Sequence, residues 1–134
     1  MTIQTTRSSP RYKDFYGNFE AHPVRKDLYT LTDVDSVKNS IRNLVFTSQG
    51  ERFFQPYLGG GIDTLLFENI DNHTSNMIKT YIETTISNFE PRAIISEIVV
   101  TPRTNENGYY IKIVFSTINS PTPITYDFLL ARVR

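Results

Sequence analysis

The chain has 134 residues, with fourteen basic and fourteen acidic side chains and no cysteine. That length accommodates one domain with a real core but not two; the charge balance lacks the basic excess that marks a nucleic-acid binder; and the lack of cysteine excludes disulfides and thiolate metal sites and suits a reducing cytoplasm. No apolar run nears the roughly 20 residues a membrane-spanning helix needs, and Met1 to Pro10 is polar, without the apolar centre of a signal peptide.

Residues 1–22 mix polar and aromatic side chains without period. Tyr12, Phe15, Tyr16 and Phe19 are adhesive, but Pro10 and Gly17 oppose a long helix. The segment is expected to be an extended arm that gains order by lying on a partner or on its own domain. Residues 23–134 form the expected single domain. After the connector Pro23 to Thr32, Asp33 or Asp35 can cap a first helix running to about Thr47, with Val34, Val37, Ile41, Leu44 and Val45 inward. Ser48 to Arg52 is a turn. Leu58-Gly59-Gly60-Gly61 has a permissive backbone, but no Lys-Ser/Thr follows, so it is a sharp turn rather than a phosphate loop. Asp63 to Phe67 is a short helix with Leu65, Leu66 and Phe67 inward. Asn72 or Thr74 caps the main helix, whose apolar stripe is Met77, Ile78, Tyr81, Ile82, Ile86 and Phe89.

Pro91 ends that helix and pushes Glu90 toward an extended conformation. Ile94 to Thr101 is then a strand, rich in β-branched residues. Asn105-Glu106-Asn107-Gly108 signals a hairpin turn. Tyr109 to Thr117 alternates, with Ile111, Ile113 and Phe115 on one face. Pro121 and Pro123 break the chain. The last strand, Ile124 to Val133, sets Ile124, Tyr126, Phe128 and Leu130 on one face and Leu129 on the other. The expected fold is α+β: two main helices and a short one on one face of a three-stranded antiparallel meander, plus the arm.

Little in the chain suggests catalysis. His22 and His73, without cysteine, cannot build a structural zinc site, and no serine elbow or thiol nucleophile is present. Glu51, Asp63, Glu68 and Glu90 could supply a glycosidase-type carboxylate pair, but nothing in their spacing favours that over solvated surface charge. No catalytic residue, cofactor, metal or small-molecule substrate is expected.

The most informative feature is Glu90-Pro91-Arg92. Two residues apart in an extended backbone, Glu90 and Arg92 project to one side from a rigid corner. They can clamp the chain's own fold or grip a partner.

Several segments together resemble the small wedge and sheath-initiator family of contractile phage tail baseplates, historically called lysozyme-like and related to type VI secretion baseplate components. They are Val37 to Ile41, Thr47 to Arg52, Pro56 to Gly59, Leu65 to Asn69 and Asn88 to Arg92, followed by the strand-hairpin-strand tail. The resemblance spans about residues 25–134 and weakens over the arm; the glycine run is richer than the family's single turn glycine. It implies a structural protein of the virion tail baseplate, present in the host cytoplasm during assembly. Its implied partners are the helical core bundle of larger wedge proteins, the tail sheath protein and the tail tube and hub proteins; nucleic acid and membrane are not among them. Glu90, Pro91 and Arg92 are implied to meet the wedge bundle. The last strand, with Ile124, Tyr126, Phe128, Leu129 and Leu130, is implied to template the first sheath ring by strand exchange. On this reading, Arg92→Ala leaves folding largely intact but blocks joining to the bundle. The alternative is a peptidoglycan-cleaving, lysozyme-like tail enzyme.

Overall fold

The computed structural model describes residues 13–15, 30–48, 50, 51, 53, 54, 56 and 61–132. The rest of the arm, the aromatic residues Tyr12, Tyr16 and Phe19, His22, the boundary near residue 22, Leu58 to Gly60 and Val133 lie outside the described residues.

A two-stranded antiparallel ribbon, β1 (Lys13–Phe15) with β2 (Thr30–Thr32), precedes three helices: α1 (Val34–Phe46), α2 (Ile62–Leu66) and α3 (Asn72–Phe89). A piece of the arm thus pairs with the chain itself. Three long strands follow: β3 (Ala93–Arg103), β4 (Gly108–Thr117) and β5 (Ser120–Ala131), in the order β3-β4-β5. Both pairings are antiparallel, so β4 is central and β3 and β5 are edges.

The core lies between the helices and one face of this sheet. From α1 come Val37, Ile41 and Val45; from α3, Ile78, Ile82 and Ile86; from β4, Tyr109, Ile111, Ile113 and Phe115. The alternation of β4 puts Tyr109, Ile111, Ile113 and Phe115 inward and Tyr110, Lys112 and Val114 on the other face. β3 does not keep one parity. Its register slips between Ile95 and Glu97, leaving Ser96 as an extra residue. Ala93 and Ile95 therefore face the core before the bulge, and Ile98 and Val100 after it.

Several expectations change. The main helix is capped one residue earlier than expected, by Asp71, whose carboxylate accepts the Thr74 amide at 2.8 Å. That hydrogen bond holds the Asp71 carboxyl below the usual range. Asp33 precedes α1 at φ 50° without giving a side-chain cap. The buried line of α3 is Ile78, Ile82 and Ile86 flanked by Thr74, Ser75 and Thr85; Tyr81 and Phe89 are exposed. Phe67 points to solvent, under the Arg132 guanidinium 5.4 Å away. Pro121 and Pro123 do not break the chain: both lie within β5, in an irregular stretch between the pairs Phe115–Ile124 and Thr117–Ser120. An edge strand tolerates proline because one side of its ladder is unused.

Candidate functional site

The Glu90-Pro91-Arg92 corner is built by the end of α3. The Glu90 amide still donates to Ile86 at 2.8 Å, and its carbonyl accepts the Ala93 amide at 3.2 Å, so the chain reverses from helix to strand within three residues. Pro91 sits at the exposed apex. The acid and the base close on each other. Arg92 Nε donates to Glu90 Oε1 at 2.6 Å and a terminal nitrogen donates to Oε2 at 2.8 Å, a bidentate fork. The Glu90 side chain is 3% exposed and that of Arg92 26%. Burial pushes the Glu90 carboxyl up, but hydrogen bonds from Arg92 and Ser40 and the arginine charge outweigh it, and the net shift is downward. The corner is thus an ion pair with its acid inside, its base at the rim and its proline outside. Ser40 belongs to α1, so the pair also joins the two long helices to the start of β3.

The last strand is placed differently. Ile124, Tyr126 and Phe128 face the helices and are half-buried, Leu130 is fully buried, and Leu129 stands on the opposite face, 41% exposed. Leu130 is therefore part of the core, and Ile124, Tyr126 and Phe128 pack against it. What β5 offers outward is its backbone edge. Beside that edge runs a row of rings: Phe46 of α1 lies 5.7 Å from Phe128, and Phe128 lies 5.4 Å from Tyr126. Phe46 remains 48% exposed, and the Arg42 guanidinium lies 5.9 Å from its ring.

Two further residues organise this end of the molecule, and sequence reasoning missed both. Arg132 donates from Nε to the Leu66 carbonyl at 2.7 Å and from a terminal nitrogen to the Glu68 carbonyl at 3.2 Å. Tyr109, fully buried, donates its hydroxyl to the Asn69 carbonyl at 3.3 Å. Together they satisfy the carbonyls at the end of α2 and pin the connector to α3 onto the sheet. The sequence separation between Arg132 and Leu66 left no local signal for this contact.

Of the carboxylates weighed for catalysis, Glu90 is tied to Arg92. Glu51 and Asp63 meet at Ser48, whose amide donates to Glu51 at 3.0 Å and whose hydroxyl donates to Asp63. Asp63 borders an open cavity of about 420 Å³ lined also by Ser48, Gly61, Thr64 and Tyr81 among others. Both carboxylates are exposed. Among the described residues no three potential ligand side chains gather as for a metal ion, and no helix is long and apolar enough to cross a membrane.

The family model described as "Baseplate wedge protein gp25" matches residues 32–122. The match runs from the end of β2, through the corner, into β5. The chain belongs to the gp25 baseplate wedge family. The gp25 protein of Enterobacteria phage T4, a baseplate wedge protein, is 31% identical over 99 residues, covering 74% of this chain and 75% of the relative. A Geobacter sulfurreducens protein that carries a tail-lysozyme designation has a crystal structure that is 27% identical with a TM-score of 0.61, covering 73% of this chain and 91% of its own. A chain in the cryo-EM structure of the anti-feeding prophage baseplate shares the fold with a TM-score of 0.65 at 23% identity, covering 92% of this chain and 88% of its own. As a gp25 family member, the protein is a structural component of the baseplate wedge of a contractile tail, located in the virion tail and working among other baseplate proteins.

Proposed function

We propose that this wedge component binds the helical core bundle of larger wedge proteins through its Glu90-Pro91-Arg92 corner and starts the sheath by accepting a sheath strand along β5. The observation that carries the reading is the long outer edge of β5. It runs for 12 residues with its outer backbone side unpaired within the sheet, next to the half-exposed rings of Phe46, Tyr126 and Phe128. A strand added there would gain ladder hydrogen bonds, while its inward side chains would pack on those rings and on α1. The tube and hub proteins would lie on the far side of the wedge, and the protein would pass through the host cytoplasm before joining the virion. The N-terminal arm, residues 1–22, is proposed to lie partly on residues 23–134, the single domain, as the β1–β2 pairing suggests.

The test is sheath polymerisation on purified baseplates. Leu129→Pro removes a backbone donor of β5 and distorts the strand. A folded Leu129→Pro protein is expected to enter baseplates but to start sheath growth poorly. Normal sheath growth from it would refute strand addition at β5.

The carboxylates around Ser48 and the tail-lysozyme designation of one structural neighbour favour a second reading, cell-wall cleavage. The acid of a glycosidase pair works from an apolar pocket that keeps it protonated, whereas Glu51 and Asp63 are exposed. We therefore propose that the protein is not an enzyme. Purified cell walls incubated with it should keep their turbidity; clearance abolished by Asp63→Asn or Glu51→Gln would establish the enzyme instead.

A further inference from the structure

The loop after α1 carries the most exposed large apolar side chains among the described residues. It is closed at its base, where the Gly50 amide donates to the Pro56 carbonyl at 2.9 Å and the Glu51 amide to the Ser48 carbonyl at 3.1 Å. Between these anchors stand Phe53 and Phe54, adjacent and 98% and 100% exposed. A single exposed apolar residue is ordinary, but two neighbouring phenylalanines held wholly in water on a closed loop mark a contact surface. Beside the loop, α3 presents a second stripe next to its core line. His73, Asn76, Met77, Thr80, Tyr81 and Thr84 recur every three to four residues and line an open groove of about 380 Å³. Most of its wall is carbon, from the Met77 chain, the Tyr81 ring and the threonine methyls, and none of these lining residues carries a carboxylate or an ammonium group. The two features meet at one end, because Gly50 and Pro56 of the loop base line the same cavity as Tyr81. The rings nevertheless do not enter the groove of their own chain, since both are fully in solvent.

We propose that two copies of this chain pair about a two-fold axis, each laying Phe53 and Phe54 into the α3 groove of the other. An apolar tip and an apolar groove side by side on one surface are self-complementary. One two-fold rotation fills both grooves and leaves no tip over, so the pair closes and does not grow into a filament. The area suffices. Two phenylalanines bury about 300–500 Å² per chain, and the groove that receives the partner's rings covers a similar area. The sum, about 600–1,000 Å² per copy, brackets the roughly 800 Å² per partner of a stable interface. Phe53 and Phe54 belong neither to the Glu90-Pro91-Arg92 corner nor to β5. The pairing therefore stands or falls independently of the wedge and sheath contacts proposed above.

The experiment is sedimentation equilibrium of the isolated full chain over a range of concentrations, which should show monomer passing into dimer. The double variant Phe53→Ser, Phe54→Ser should weaken the dimer by about a hundredfold or more. Its melting in dilute solution should match that of the wild-type monomer, because the rings contribute nothing to the fold of one chain. Thr80→Glu, which sets a charge in the groove from an exposed position, should weaken the dimer likewise from the receiving side. The chain has no cysteine, so introduced cysteines report the contact directly. A mixture of Phe54→Cys chains and Thr80→Cys chains should oxidise mainly to the mixed disulfide between two copies. A monomer at every concentration would overturn the proposal. So would a dimer that survives either set of substitutions, or a Phe54→Cys, Thr80→Cys double variant that closes its disulfide within one chain.

Discussion

Replacing Arg92 with alanine should lower the stability of the isolated protein by about 3 kcal/mol, a fall of roughly 10 °C in melting temperature. The loss comes from the partner left behind. Glu90 is 3% exposed, and without the Arg92 side chain its carboxylate stays buried with the neutral donors Ser40 and the residue 92 amide. A partly exposed arginine places the cost at the lower end for broken buried pairs. This revises the expectation that the variant would fold normally, because the corner is closed on itself and holds α1, α3 and β3 together. The pH dependence has a definite sign. The folded carboxyl of Glu90 is held below its ordinary value of 4.5. The wild-type pair therefore contributes fully above that value, and its contribution is lost as the pH falls through the folded pKa. In Arg92→Ala, burial acts without the arginine to offset it and favours the protonated acid. The melting difference between the two proteins should thus be full at neutral pH and shrink progressively as the pH falls through 4.5, first where the variant's raised acid takes up its proton and last where the wild type's lowered one does; a constant difference across that range would contradict the clamp. The double variant Glu90→Met, Arg92→Met removes both charges and should recover much of the stability. If it melts like the wild type yet fails to co-purify with wedge proteins, the corner is also their binding surface. If binding returns with stability, the corner is a clamp alone.

The second large effect is expected at Gly108. A Cβ there would collide with the Leu130 carbonyl oxygen and lie 2.8 Å from the Ala131 Cα. Both obstacles are backbone of the neighbouring strand, so no rotamer change can relieve them. Gly108→Ala should cost about 3 kcal/mol, the upper end for overpacking. Amide exchange should show the loss concentrated where β4 meets the end of β5, near the bond from the Arg132 amide to the Asn107 carbonyl at 2.9 Å. The neighbour gives the control. Asn107, not Gly108, carries the left-handed conformation of this turn, at φ 49°, so Asn107→Gly should be tolerated with little change in melting. If Gly108→Ala melts like the wild type, the strands are not packed as closely as described.

Much of this protein was legible in the order of its residues, because local rules decide it. Helical spacing located α1 and α3, since an apolar line every three to four residues has only one way to be buried. Alternation located β4 and assigned Ile111, Ile113 and Phe115 to the core, and Pro91 placed the corner. The Asn107-Gly108 signal found the hairpin but for half the reason: the turn needs its positive φ at Asn107, and Gly108 is required by the backbone of β5, which no local pattern shows. Other features were settled only by tertiary structure. The bulge at Ser96 reverses the parity of β3, so the inward set of that strand depends on its pairing with β4. Prolines read as a break lie inside β5, because an edge strand has an idle side for them. That Glu90 and Arg92 form a closed fork depended on burial, which set the acid inside the protein within reach of Ser40 of α1. Arg132 reaches carbonyls far away in the chain. A contact between distant residues leaves no periodicity behind, so the chain order specified the elements while their packing decided which side chains are committed to the fold and which remain for a partner.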